Sequence, residues 1–312
     1  NIAATTCMHP NISTHRLESS HLSPMQRMRM LNDILFEPVH AAHNAYWLID
    51  ILQKAKLMGH LVLLSGEMGN ATISFAGTSY QLGMRETYLR YGVRGTVRKK
   101  LIQPLYRHTK GRWKQYSSSD AWRKYSYINP MLDGQVHPSR LIRQSGRPVD
   151  FRYHFSSHTD AMLQTLMPGY NPRLRFGHEL GQHFGLELRD PTGDKRMVEF
   201  MLRLPNRLFI DQKGETKQML KRMMKERLPD RVLYQKSTGL QSADIVKRIQ
   251  PDLPEIEEIV RNFSTDLCEK ELFDRERLLS DVQLLKTFKL DTAQTHHLLR
   301  SVGIMEFLNS CK

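Results

Sequence analysis

The 312-residue sequence contains few cysteines, no long apolar run and fewer acidic than basic residues. Cys7, Cys268 and Cys311 are odd in number and far apart, which excludes a disulfide framework and a Cys-x-x-Cys metal site. No apolar run approaches the ~20 residues of a membrane span, and no basic region followed by an apolar core opens the chain. We therefore expect a cytoplasmic protein that does not enter membranes and, because the sequence does not begin with methionine, a fragment of a longer chain.

The excess of basic residues gives a net charge of +14 and a pI near 9.7. This balance fits an anionic partner, such as a nucleotide, a nucleic acid or an acidic membrane. It also fits a solvated basic surface, which we favour over nucleic-acid binding. The cations concentrate in residues 80–127, either as a solvated connection between helices or as an electropositive rim for a polyphosphate or a peptide. No basic stretch is regularly interleaved with aromatic residues, which argues against nucleic-acid binding.

The most informative stretch is the apolar run of residues 61–64, which ends in small, polar and acidic residues. Such a run predicts a buried parallel strand that delivers a loop at its carboxyl end, where open α/β sheets bind their ligands. Ser65, Gly66 and Gly69 offer backbone N–H groups for a phosphate or carboxylate, and Glu67 is a candidate acid or base. The alternative is a simple connecting turn.

Two helices are predicted before this strand. Ser23 followed by Pro24 is typical of an N-cap and a first helical position, and Pro38 is expected to end that helix. Residues 44–57 form the second helix, which Gly59 closes. A helix that leads directly into a strand is the second half of a βαβ crossover, whose first strand we expect at the start of the chain or before it.

The rest of the sequence predicts helices and no metal site. His154 and His158 have the spacing of a two-histidine metal arm, but no third ligand accompanies them, and His178 and His183 share this weakness. Met219, Met223 and Met224 are assigned to the core. The helices are predicted at residues 137–144, 151–167, 216–228, 253–263, 274–288 and 292–308. The fold class is therefore a helix-rich α/β chain with a small sheet.

Several segments carry a family resemblance. Residues 65–70 read Ser-Gly-Glu-Met-Gly-Asn and resemble the Ser-Gly-Glu-Gly-x-Asp turn of the asparagine synthetase family. Residues 189–200 are similar to that family's Arg-x-Pro-x-x-Asp-x-Arg-Leu-Val-Glu-Phe segment. Residues 69–74 and 239–244 resemble more closely a branch that includes lasso-peptide macrolactam synthetases. The remaining matches follow in the family's order: Leu204-Pro205, Thr216-Lys217, Leu228-Pro229, Lys236 and Gly239.

The resemblance implies an incomplete adenine-nucleotide alpha-hydrolase-like sheet, of the PP-loop and Rossmann-like kind, with a large helical C-terminal part. It implies ATP-dependent amide formation through an acyl-adenylate, with ATP and Mg²⁺ as cofactors. Glu67 and Lys236 are then the catalytic residues, against the alternatives of a helix-capping glutamate and a surface lysine. Ser65, Gly66, Asn70 and Lys217 are the expected cofactor-binding residues, although Lys217 also fits an exposed helix lysine.

Two departures from the family accompany this resemblance. Asn70 replaces an aspartate that helps to hold Mg²⁺ and pyrophosphate, and an amide is a weaker ligand for a hard cation. The family's first phosphate loop, Ser-Gly-Gly-x-Asp-Ser, and its glutamine-hydrolysing domain are not in this sequence, and we expect both upstream. The alternative is an inactive synthetase remnant that binds a peptide or nucleic acid.

We expect three segments and a small set of partners. Residues 1–80 form a partial nucleotide-binding core, residues 81–150 a basic helical insertion, and residues 151–312 the helical C-terminal part. Asp194 is expected to cap the helix from Lys195, and Glu199 to pair on its face. The expected partner is a carboxylate substrate, either aspartate or a precursor peptide, with a separate peptide-recognition or protease protein as a further candidate.

Overall fold

The computed structural model describes residues 12–17, 23–39, 42–77, 84–102, 126–132, 157–166, 173–235, 242–264 and 271–311. Within these ranges the chain is helix-rich and contains two short strands, β1 (Val62–Leu64) and β2 (Glu187–Arg189). The helices are α1 (Pro24–Leu35), α2 (Tyr46–Leu57), α3 (Met84–Val97), α4 (His158–Leu166), α5 (Arg173–Phe184), α6 (Lys195–Arg203), α7 (Gln218–Met224), α8 (Asp230–Leu233), α9 (Ile245–Arg248), α10 (Leu253–Asn262), α11 (Arg275–Lys286) and α12 (Thr292–Ser310).

Local sequence signals set the first helix. The Ser23 side chain accepts a hydrogen bond from the Gln26 N–H, and the Gln26 side chain accepts one from the Ser23 N–H, so the predicted N-cap is confirmed as a capping box. The helix ends at Leu35, because Phe36 adopts a left-handed conformation with φ 50° before Pro38 is reached. The second predicted helix is confirmed as α2, and Gly59 turns the chain after it with φ 76°.

The two strands pair in parallel, with Leu63 opposite Leu188. Gly181 lets α5 lie directly on β2, since a Cβ atom there would come within 2.6 Å of Leu188 Cδ1. The prediction of a buried strand was wrong for β1: Val62 and Leu64 are 41% and 66% exposed. Among the described residues β1 has one neighbouring strand and helices cover one face only, so its apolar run predicted the strand but not its burial.

The main hydrophobic core joins α1, α2, α5 and α9–α12. Leu63 and Leu188 pack against it from the sheet, and Gly303 allows α12 to approach Met28 of α1. A second, smaller cluster joins Phe75, after β1, to α4, α6 and Phe209. The chain on both sides of the sheet is therefore anchored to packed helices.

The C-terminal helices were predicted well and the helix at residues 216–228 was not. Helices α10, α11 and α12 lie where the periodicity placed them. Helix α7 is shorter than predicted, because Lys217 (φ 58°) and Glu226 (φ 68°) adopt left-handed conformations around it. Met219 packs against the second cluster, whereas Met223 is 50% exposed, so its assignment to the core was wrong.

Only part of the remaining predictions falls within the described structure. The helix predicted at residues 137–144 lies outside it, and of residues 151–167 the described portion is α4 and the residue before it. In the basic region, α3 is interrupted at Gly92 and a π-helical turn, Arg98–Ile102, follows it. This part exposes both cations and apolar side chains, and the two interpretations of the region stay predictions.

The described end of the basic region is fixed to the core through Tyr127, which is 1% exposed. Its hydroxyl donates to Asp281 Oδ2 at 2.6 Å and accepts from Gln294 Nε2 at 2.8 Å. Burial, reinforced by the Asp281 carboxylate, raises the pKa of Tyr127, so the phenol stays protonated.

None of the helices in the described ranges is long and apolar enough to cross a membrane.

A buried ion pair between Arg27 and Asp50 joins α1 to α2, the helix that leads into β1. The Arg27 side chain is 4% exposed and the Asp50 side chain 19%. Removing one partner of such a pair leaves an uncompensated buried charge. The free-energy cost of that charge is far larger than the stability that the intact pair adds relative to apolar residues in the same positions.

We predict that Asp50→Ala lowers the free energy of unfolding by about 3 to 5 kcal/mol, measured by urea denaturation. Glu199→Ala is the matched control, because it breaks an exposed pair with Lys195 at 3.8 Å and should cost at most ~0.5 kcal/mol. Equal costs in the two variants would contradict a structural role for the buried pair.

Candidate functional site

The candidate site is built from two loops that leave the parallel strands at the same edge of the sheet. The first loop, residues 65–71, follows β1 and contains a 3-10 turn, Glu67–Ala71. The second loop, residues 190–194, follows β2 and contains a 3-10 turn, Pro191–Gly193. The Ser65 N–H donates to the Arg189 carbonyl oxygen at 2.8 Å, which continues the strand ladder into the loops. Carboxyl ends of parallel strands are where α/β sheets place ligands.

The Asp190 carboxylate lies between the two loops and binds both. Oδ2 accepts from the Met68 N–H at 2.7 Å, while Oδ1 accepts from the Thr192 N–H at 2.9 Å and from the Thr192 hydroxyl at 2.5 Å. The Ser65 side chain is a further hydrogen-bond partner. Burial alone would raise the pKa of Asp190, but these hydrogen bonds outweigh it, so the pKa lies below its ordinary value.

Thr72 makes a second connection between the loops. It is fully buried, and its hydroxyl lies 3.0 Å from the Met68 carbonyl oxygen and 2.8 Å from the Thr192 carbonyl oxygen. Met68 itself is 2% exposed, and a Cβ atom at Gly193 would come within 3.0 Å of its Cγ. The inner side of the first loop is therefore fixed by hydrogen bonds and close packing.

The outer side of the first loop carries the predicted site residues. Glu67 and Asn70 are exposed, and the Ser74 hydroxyl donates to Asn70 Oδ1 at 3.2 Å. The N–H groups of Ser65 and Gly69 are donated within the protein, to Arg189 and Gly66. The Gly66 N–H makes no hydrogen bond to any described residue, and a Cβ atom at Gly66 would meet open space. Gly66 is thus the point where a ligand can approach the backbone.

The segment around Asp194 is structural in the way the sequence suggested. Its carboxylate accepts from the Arg196 N–H at 2.9 Å and caps α6, which confirms the predicted N-cap. The pairing of Glu199 is also confirmed, with Lys195 one turn earlier. The Arg196 side chain holds the pKa of Asp194 low, at about 2.

Lys217 lies before α7 rather than on it. Its left-handed backbone follows Thr216, which forms an isolated antiparallel bridge with Ile210. Its side chain is exposed, and among the described residues no contact joins it to the two loops. Its predicted role in phosphate binding stays a prediction.

Lys236 lies outside the described residues, so its proximity to Glu67 stays a prediction from the sequence. The chain that follows it is anchored beside the start of α2. The Ser242 hydroxyl donates to Asn44 Oδ1, and the Tyr46 hydroxyl donates to Asp244 Oδ1 at 3.2 Å.

The predicted histidine pair also falls partly outside the described structure, because His154 is in the undescribed range. His158 Nε2 lies 2.6 Å from the Leu204 carbonyl oxygen and so joins α4 to the end of α6. In the described ranges, no three His, Cys, Asp or Glu side chains lie close enough together to hold a metal ion.

Sequence reasoning missed Asp190, Thr72 and Thr192, the residues that hold the loops together. A signal for Asp190 was present, because Asp-Pro-Thr is typical of a turn in which the aspartate accepts from the backbone two residues later. No local sequence pattern predicts the hydrogen bond between Asp190 and Met68, since the two residues are 122 positions apart.

These observations define a helix-rich α/β protein with a candidate ligand loop at the carboxyl end of a parallel strand pair. A family model described as asparagine synthase matches residues 2–305 of the chain, and the chain belongs to the asparagine synthase family. The family assignment from residues 65–70 and 189–200 is therefore confirmed, whereas the macrolactam branch stays a proposal. Neither a search of curated proteins nor one of solved structures found a match.

We predict that Thr72→Val lowers the free energy of unfolding by about 1 to 2 kcal/mol, because it keeps the side-chain shape but removes the hydroxyl that lies within hydrogen-bond distance of the Met68 and Thr192 carbonyl oxygens. Urea denaturation measures this. Thr287→Val is the control, since Thr287 also donates to main-chain oxygens but is exposed at the end of α11. A Thr72→Val protein as stable as the wild type would contradict the hydroxyl's role between the loops.

Proposed function

We propose that this protein forms an amide bond at the expense of ATP, with the first loop as part of its nucleotide site. Family membership supports ATP-dependent ligase chemistry. The observation that carries the proposal is the contact between two family-like segments, residues 65–70 and 189–200, which are far apart in sequence. The Ser65–Arg189 and Met68–Asp190 hydrogen bonds join them into one surface.

The exposed groups of the first loop suit a phosphate-bearing ligand. Gly66 combines an N–H without a described partner and open space where a side chain would lie, so a phosphate or carboxylate oxygen can reach the backbone. Glu67 and Asn70 present carboxylate and amide oxygens, which are the ligand type that Mg²⁺ accepts. The residues present therefore fit Mg·ATP at this loop.

The proposed reaction has two steps. A substrate carboxylate oxygen attacks the α-phosphorus of ATP, so that an acyl-adenylate forms and pyrophosphate leaves. An amine nitrogen then attacks the acyl carbon, the amide bond forms and AMP leaves, while Glu67 accepts the proton that the nitrogen loses. Lys236 stabilises the negative charge that develops on the phosphates in the first step.

The anchored chain after Lys236 supports this role. Ser242, which follows Lys236 by six positions in the sequence, donates its hydroxyl to Asn44 Oδ1. Asn44 lies just before α2, and α2 leads through a short turn into β1. A helix that returns into a strand in this way brings its start toward the strand's carboxyl end, which is where Glu67 lies.

The finer parts of the proposal concern fold and substrate. We propose a PP-loop type of nucleotide-binding sheet, of which β1 and β2 are two strands. The acid is aspartate or a side chain of a precursor peptide. Asn70 and the sequence of residues 69–74 favour the peptide, in which acid and amine belong to one molecule. The exposed cations of α3 and the following turn suit an acidic peptide. A peptide or a nucleic acid is the partner expected if the chain binds without catalysis.

We predict that Lys236→Ala lowers the rate of pyrophosphate release from ATP by about 10²- to 10³-fold, because it removes a cation that acts on the transition state. The assay supplies Mg·ATP with the substrate that supports pyrophosphate release by wild type, either aspartate with ammonia or the precursor peptide. Lys247→Ala is the matched control, since Lys247 is an exposed lysine on α9. Equal rates for wild type and Lys236→Ala would remove Lys236 from the mechanism.

We predict that Gly66→Val weakens the binding of Mg·ATP at least about tenfold by blocking approach to the loop, and leaves the free energy of unfolding within ~0.5 kcal/mol of wild type. The backbone at Gly66 has φ −125° and ψ 30°, outside the left-handed region that favours glycine, and an added Cβ atom meets no protein atom within 4 Å. Calorimetric titration and urea denaturation measure the two quantities. Unchanged nucleotide affinity in a folded Gly66→Val protein would place the site elsewhere.

A further inference from the structure

We propose that Asp190 is the positioning residue of the candidate site: its carboxylate holds the first loop on the second loop and so fixes where Gly66 and Glu67 face. This inference rests on the proposed function for its consequence in nucleotide binding. Its structural part rests on described contacts alone.

Both oxygens of Asp190 serve as acceptors. Oδ2 faces the Met68 N–H of the first loop, while Oδ1 faces the N–H and the hydroxyl of Thr192 in the second loop. Every one of these partners is a donor, so the geometry requires an ionised carboxylate with two accepting oxygens. An asparagine in this position has one accepting oxygen, so it keeps either the bond across to Met68 or the local bonds to Thr192. Because Thr192 offers two donors and Met68 one, we expect the bond to Met68 to be lost.

The bond to Met68 decides which side of the first loop faces outward. Met68 points into the protein, where it contacts Gly193, while its neighbour Glu67 is exposed. Because Glu67 and Met68 are adjacent in one 3-10 turn, fixing the Met68 amide also fixes the direction of Glu67. Release of the Met68 N–H would let the turn rotate and move both Glu67 and Gly66 away from the nucleotide.

The electrostatics agree with this role. Burial raises the pKa of Asp190, and the hydrogen bonds overcome this, so the pKa of the folded state is depressed. A depressed pKa means that the stabilisation is present above the unfolded pKa and is lost as the pH falls through the folded pKa. Charged groups on and beside the two loops include Glu67, the Arg189–Glu187 pair and the Arg196–Asp194 pair.

The test compares Asp190→Asn with Glu187→Gln, which removes the same charge from an exposed position on β2. Amide hydrogen exchange is measured at Met68, with Leu186 as an internal reference because its N–H is donated to the Gly181 carbonyl oxygen, away from Asp190. We expect Asp190→Asn to speed Met68 exchange relative to Leu186 at least about tenfold, since a part-buried hydrogen bond to a charged acceptor is lost. Glu187→Gln should change this ratio less than about twofold.

The same proteins are then titrated with Mg·ATP. A loss of affinity of at least about tenfold in Asp190→Asn, with Glu187→Gln near wild type, supports the positioning role. Unchanged Met68 exchange in Asp190→Asn overturns the inference, and so does faster exchange with unchanged affinity. No binding by wild type overturns the proposed function, while the exchange ratios still decide whether Asp190 holds the loops.

A measurement on the unaltered protein covers the case in which Asp190→Asn does not fold. The ratio of Met68 to Leu186 exchange is followed as the pH is lowered, because protonation of Asp190 removes an acceptor from the loops. The ratio should rise as the pH falls below the ordinary range of aspartate, while the fold persists by circular dichroism. A ratio that stays constant until global unfolding overturns the inference.

Discussion

The parallel pairing of β1 with β2 is the constraint on which the candidate site depends. It is only three residues long on each strand, yet it brings the ends of both strands to one edge. Such a short ladder contributes little by itself, and the loops reinforce it where it ends. Ser65, Asp190 and Thr72 together extend the contact between the two chain segments beyond the strands. The site and the sheet are therefore stabilised by the same interactions.

The first loop separates its polar groups by direction. Its inward-facing N–H groups are satisfied by Asp190, Arg189 and Gly66, which a buried turn requires. Its outward side exposes Glu67 and Asn70, and the Gly66 N–H makes no hydrogen bond to a described residue. A loop of this kind can bind an anion without unfolding, because the donors that hold its shape are different from the donor offered to the ligand. This is preorganisation in the sense that a binding site needs.

Much of the architecture followed from local sequence rules. The Ser23 cap, the helix from Lys195 and the three C-terminal helices were predictable, because capping groups and apolar periodicity act within one or two turns. The strand β2 was missed, since Glu-Leu-Arg has too few apolar residues to give a recognisable strand pattern. The burial of β1 was overestimated. An apolar run shows that a strand can pack against other elements, but it does not show whether other elements pack against both of its faces.

The sequence by itself determined the family, the helical framework and the candidate loop at residues 65–70, because motifs and helix caps depend on residues that are close together in sequence. Tertiary structure decided that Asp190, which the motif comparison treats as a variable position, accepts from Met68 across 122 residues. It also decided which N–H groups of the loop face the protein and which face solvent. The physical reason is that hydrogen-bond partners distant in sequence are chosen by strand pairing and packing, and neither is encoded in a local pattern.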